Sequence, residues 1–175
     1  MDVIAYWLIP AEPAHEFFQR TIWELAERFG AVEFEPHVTV FLGRVKGRPP
    51  KEVLSSLGSP RISLNACRIE QSNKFTKTLF VQFEKTDSLQ SLADRIQELS
   101  GAEKPYLVNP HLSLLYHNIA ARTRRALAET IQLPFREVPF ERVCAMLCKS
   151  PTKTADDVRD WKLLAPQNST IRKGD

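Results

Sequence analysis

Apolar residues recur with a period of two in some stretches of the chain and of three to four in others, which predicts strands alternating with helices. Residues 3–9 form a β-rich run closed by Pro10 and read as a strand. Pro13 stands where a helix can open, because the first helical turn leaves its N–H groups unbonded anyway. Phe17, Ile22, Leu25, Ala26 and Phe29 then share one face, and Gly30 supplies a C-terminal cap. A strand follows over 36–42, with a turn at Gly43. The cation- and proline-containing stretch 44–50 reads as a surface loop, and 51–57 as a short helix. Strands are predicted over 62–70 and 78–84, separated by 71–77, a polar hairpin loop or mobile lid. Thr86 or Asp87 caps the next helix, whose apolar face is Leu89, Leu92, Ile96 and Leu99 and which Gly101 stops. Another strand ends near Tyr116. Asn118 is the expected cap of a helix over 119–131, with Arg122, Arg124 and Arg125 on a solvated face. Strands over 138–149 and 158–164 complete the pattern.

Composition narrows this little. The 43% hydrophobic and 26% charged content of 175 residues is that of an ordinary globular protein, large enough for one domain or two intimately packed lobes. A net charge of +3 accommodates an anionic substrate but falls short of a duplex-binding face. No apolar run approaches the ~20 residues of a membrane span, and Met1-Asp2-Val3 lacks a secretory start. The three cysteines, Cys67, Cys144 and Cys148, form no C-x-x-C pair. They read as small buried hydrophobes in a reducing cytoplasm, with neither disulfide nor zinc knuckle.

The informative feature is a pattern written twice. Pro36-His37-Val38-Thr39-Val40 reappears as Pro110-His111-Leu112-Ser113-Leu114. Successive side chains in a strand alternate faces, so each copy presents one imidazole and one hydroxyl together. The surrounding order of strand, helix and motif strand is also repeated. Two lobes related by a pseudo-two-fold axis are therefore expected, with a cleft between them, in the α+β class with two mostly antiparallel sheets and helices outside. The bilobal domain is expected over 1–165, and 166–175 as a flexible tail.

Two imidazoles facing one group can remove a proton on one side and deliver one on the other. That suits attack of water on a phosphodiester, with Thr39 and Ser113 donating to the phosphate oxygens as charge builds on them. No cofactor or metal is expected, because no H-E-x-x-H or comparable ligand cluster is present. His15 and His117 read as surface residues. Which imidazole is acid and which is base stays open, as does the side of attack.

The doubled motif resembles the two-histidine (2H) phosphoesterase superfamily. Together with Tyr6-Trp7-Leu8-Ile9-Pro10, Phe34-Glu35 and Leu115-Tyr116, it is similar to the cyclic phosphodiesterase branch. The resemblance implies catalytic His37 and His111, phosphate-binding Thr39 and Ser113, and a pocket-lining Tyr116. Alternation would put Tyr116 on the face opposite His111 unless the strand ends or bulges there. Phe75 is a candidate for stacking on a base and Trp7 for lining the cleft, with Lys74 and Lys77 near the phosphate. The implied substrate is a nucleoside 2′,3′-cyclic phosphate or ADP-ribose 1″,2″-cyclic phosphate. RNA ends are the alternative substrate, as for an RNA 2′,5′-ligase-like enzyme, and a non-catalytic nucleotide- or RNA-binding module is the other alternative. A cytoplasmic monomer without membrane contact is expected.

Overall fold

Along residues 1–44 and 48–166, which the computed structural model describes, strands and helices alternate nearly throughout. They are β1 (Asp2–Pro10), α1 (Ala14–Phe29), β2 (Val38–Gly43), α2 (Pro50–Leu57), β3 (Ile62–Gln71), β4 (Leu79–Phe83), α3 (Asp87–Ser100), β5 (His111–Leu115), α4 (Ala121–Thr130), β6 (Glu137–Lys149), α5 (Ala155–Arg159) and β7 (Lys162–Pro166). A 3-10 turn, Phe75–Lys77, joins β3 to β4.

Local chemistry explains most boundaries. α1 buries Ala14, Phe18, Ile22, Leu25 and Ala26, and ends at Gly30, whose left-handed φ of 64° lets its N–H reach the Ala26 carbonyl. Phe17, expected on that stripe, is only partly buried, and its neighbour Phe18 takes the core position. The Thr86 hydroxyl caps α3 by accepting from the Leu89 N–H. Asn118 does not cap α4: the helix begins at Ala121, after an Ala120 that makes no side-chain cap. The expected strand over 158–164 is also corrected. Thr154 and Asp157 form a reciprocal capping box, which starts α5 and places Val158 within a helix. Cys67 is exposed beside an irregularity in the β3–β4 register, whereas Cys144 is partly and Cys148 fully buried. Of the expected 44–50 loop, 45–47 lie outside the described residues, as do 167–175 of the expected tail; Pro166 itself ends β7.

Every strand pair is antiparallel. The order is β1-β2-β5-β4-β3-β6-β7, and β6 also pairs with β1, which closes the network. The long β6 is shared: Glu137 to Phe140 pair with β3, and Phe140 to Lys149 with β1. One lobe is thus β2, β1, the C-terminal part of β6 and β7. The other is β5, β4, β3 and the N-terminal part of β6. The two expected sheets are halves of one seven-stranded sheet.

The sequence β1-α1-β2-α2-β3 recurs as β4-α3-β5-α4-β6. Where the halves meet, Val38 pairs with Leu112, the residue at the same place in the other copy of the motif. Equivalent residues opposed on antiparallel strands require a local two-fold axis between them. Continuing that register, His37 faces Ser113 and Thr39 faces His111. Beneath this junction, α1 packs toward β5 and α3 toward β2, over a core that includes Val38, Leu112, Phe18 and Leu89.

Candidate active site

His37 and His111 are each fixed by the chain that leads into their strands. His37 Nδ1 lies 2.6 Å from the Glu35 carbonyl and His111 Nδ1 lies 2.8 Å from the Asn109 carbonyl, two residues back in both copies. A carbonyl oxygen only accepts, so Nδ1 carries the hydrogen in each ring and the free lone pair is on Nε2. The proline between each histidine and that carbonyl holds the approach extended.

Both rings line a single cavity of about 300 Å3, shared with Thr39, Ser113, Trp7, Tyr116 and Trp161. The four motif residues are therefore gathered at the junction of the two lobes. Burial pushes the pKa of His37 down to about 4, opposed by its carbonyl bond and assisted by the neighbouring His111. Burial likewise pushes His111 down to about 4, opposed by the Asn109 carbonyl and assisted by the Lys77 ammonium. Without an anion in the cavity, both imidazoles are neutral at pH 7. Thr39 makes no side-chain hydrogen bond among the described residues, whereas Ser113 Oγ donates to the Thr76 carbonyl at 2.7 Å.

The walls differ between the lobes. The Trp7 indole stacks flat on His37, with ring centroids 3.7 Å apart and planes 11° apart. Phe80 meets His111 edge-on at 5.7 Å. Trp7 pairs with Thr39 and Phe80 with Ser113, so the two aromatics occupy matching places in the two lobes. Lys77 Nζ sits 4.2 Å over the Phe80 ring. Tyr116 reaches the cavity because β5 stops at Leu115, which frees the next residue from alternation. Its ring stacks on Phe34 at 3.9 Å, and burial raises the pKa of its hydroxyl.

Several expectations are adjusted here. Phe75 does not line the cavity; its ring is half-buried and packs against Tyr116 at 6.0 Å. The 71–77 segment is a bonded turn. Ser72 Oγ donates to the Lys77 carbonyl at 2.7 Å and Thr78 Oγ1 to the His117 carbonyl at 2.7 Å. His15 is partly exposed, and its Nε2 lies 2.8 Å from Glu35 Oε1. Trp161 was not foreseen. It stands just beyond α5, edge-on to Trp7 at 5.0 Å and near His37 at 6.1 Å. The Thr154-x-x-Asp157 cap was the signal that could have placed it at the end of a helix instead of inside a strand. Among the described residues no group of three or more His, Cys, Asp or Glu side chains is placed to hold a metal ion. No helix among them is long and apolar enough to cross a membrane.

Comparisons with known proteins agree with this fold. Structures of E. coli LigT share the fold: the complex with 3′-AMP at a TM-score of 0.53 and 14% identity, over 93% of this chain and 95% of that one, and the apo form at 0.52 and 15%, over 95% and 96%. A crystal structure described as a phosphoesterase matches at 0.51 and 12%, over 95% and 97%. No curated protein sequence matches the chain. The family model for cyclic phosphodiesterase-like protein matches residues 1–168. The chain therefore belongs to the cyclic phosphodiesterase-like protein family, within the two-histidine phosphoesterases.

Proposed function

We propose that the protein hydrolyses a small cyclic phosphate, a nucleoside 2′,3′-cyclic phosphate or ADP-ribose 1″,2″-cyclic phosphate, to a phosphomonoester without a metal. The observation that carries this reading is the pair of Nδ1-anchored imidazoles lining one cavity with Thr39 and Ser113 across the pseudo-two-fold axis. One neutral Nε2 takes a proton from water as its oxygen bonds to phosphorus. The other ring, as imidazolium, protonates the ester oxygen as the P–O bond breaks. The negative charge of an entering phosphate raises both histidine pKa values, so one ring takes up from solvent the proton it later delivers to the ester oxygen.

Two asymmetries support assigning the roles. The indole face under His37 favours its cation, while Lys77 disfavours a cation on His111. His37 is then the acid and His111 the base. Thr39 and Ser113 hydrogen-bond the non-bridging oxygens, and Trp7 and Tyr116 wall the ribose side. E. coli LigT is described in complex with 3′-AMP, a small nucleotide of the class proposed for this cavity. The chain over 1–165 works as one bilobal unit in this reading.

The test is turnover of 2′,3′-cyclic nucleotides in EDTA by the wild type, His37→Ala and His111→Ala. Each alanine variant is expected to lose at least about a hundredfold in kcat/KM. Undiminished activity in either variant, or tight binding without product in the wild type, defeats the proposal.

A further inference from the structure

We propose that His15 and Glu35 are positioning residues for His37: the bond between their side chains fixes the backbone carbonyl that holds the His37 ring. This rests on the catalytic reading above and adds to it two residues that do not line the histidine cavity.

His37 stands at the end of a stretch with little of its own to hold it. Between α1 and β2, residues 32–36 make no backbone–backbone hydrogen bond among the described residues. Val32, Phe34 and Pro36 are buried and anchor one side of the run, while Glu33 and Glu35 are exposed. The Glu35 carbonyl must nevertheless stay 2.6 Å from His37 Nδ1 to keep the hydrogen there. The Glu35 side chain turns back to α1, where its Oε1 accepts from His15 Nε2 at 2.8 Å. Among the described residues, no other element sends a side-chain hydrogen bond to 32–36. The His15 ring is braced in turn. Glu12 Oε1 lies 3.4 Å from its Nδ1, and the other Glu12 oxygen accepts from the Glu16 N–H at 3.1 Å.

The second copy of the motif is gripped in the same way. Asn109 stands where Glu35 does, two residues before the histidine. There the first turn of α3 supplies the hold. Gln90 Nε2 donates to the Tyr106 carbonyl at 2.9 Å, and Gln90 Oε1 accepts from the Val108 N–H at 3.2 Å. Gln82 Nε2 adds bonds to Asn109 Oδ1 at 3.2 Å and to the Pro110 carbonyl at 2.8 Å. Each helix thus ties down the run into its motif strand through a polar side chain of its first turn. The approach to His111 has these four bonds and the approach to His37 has one, so losing a single contact loosens the first ring and not the second. A looser carbonyl lets the His37 ring turn and its hydrogen pass to Nε2 in part of the population, which misaims the ring at the phosphate.

The experiment reads the imidazole nitrogens of the nitrogen-15-labelled protein by NMR at pH 7 and, beside them, kcat and KM on adenosine 2′,3′-cyclic phosphate. His15→Ala and Glu35→Ala are each expected to shift the His37 nitrogen signals toward the average of the two tautomers, while those of His111 stay in place. Each is expected to lower kcat by about tenfold with KM unchanged, and the double variant to lose no more than either single one. His15→Gln, whose amide nitrogen takes the place of Nε2, is expected to restore both readings. The proposal is overturned if His37 keeps its signals in the alanine variants, if His111 moves with it, if kcat does not fall, or if His15→Gln behaves as His15→Ala. If the wild type turns over no cyclic phosphate, the catalytic reading falls, and the nitrogen signals alone decide the positioning.

Discussion

Nδ1 of each motif histidine is tied to a backbone carbonyl, so proton traffic is confined to Nε2 and the surroundings tune it. Burial, assisted by the Lys77 ammonium, holds the pKa of His111 down. Lys77→Met removes that cation, lets the His111 pKa rise, and makes the base protonate at higher pH. The acidic limb of the pH profile of kcat/KM is therefore expected to move upward, while a lysine acting only in loop packing leaves it in place. The hydroxyls are unequal too. Thr39 has no competing partner among the described residues, whereas Ser113 must exchange its bond to the Thr76 carbonyl to reach a phosphate. Steady-state kinetics should show a loss of roughly ten- to a hundredfold in kcat/KM for Thr39→Val, and a smaller one for Ser113→Ala. Residue types at this scale were readable from sequence, because alternation alone puts each imidazole with its hydroxyl. Tyr116, Trp161 and Phe75 were less so. Whether each reaches the cavity depends on where β5 stops, where α5 ends and how the 71–77 turn folds back.

At the level of elements, β2 and β5 are paired in the sheet at Val38 and Leu112, both fully buried. Leu112→Ala leaves a void at the junction of the lobes. It is expected to cost about 2–5 kcal/mol in urea denaturation and to lower activity beyond that loss, because both motifs hang on this pair. A stability loss with wild-type kcat/KM in the folded fraction argues against such coupling. Helices with an apolar stripe and a glycine stop, α1 and α3, were legible in outline. The last strand begins later than the sequence suggests because Val158 mimics a strand residue, while the local hydrogen bonds of Thr154 and Asp157 make a helical turn first and leave Leu163 and Leu164 to β7.

Considered whole, the molecule holds two histidines neutral in its interior and is sensitive to acid for that reason. The unfolded chain binds protons at the ordinary histidine pKa near 6.5, and the folded chain only near 4. Stability is therefore full above pH 6.5 and falls as pH drops toward 4, by at most about 1.4 kcal/mol per pH unit for each histidine. Unfolding free energies measured across that window should show a shallower slope for a His37→Gln, His111→Gln double variant. The duplicated order of elements was visible in the sequence. The sharing of β6 by both lobes was not, because pairing with β3 and with β1 is fixed by partners far apart in the chain. The axis between Val38 and Leu112 also gives the catalytic floor no direction of its own. Turned by half a revolution, a phosphate meets imidazole for imidazole and hydroxyl for hydroxyl. On the proposed reading, the ester oxygen that departs is decided by the unlike walls, an indole at Trp7 against a phenyl at Phe80, and exchanging those two rings is the route to reversing the regiochemistry of ring opening.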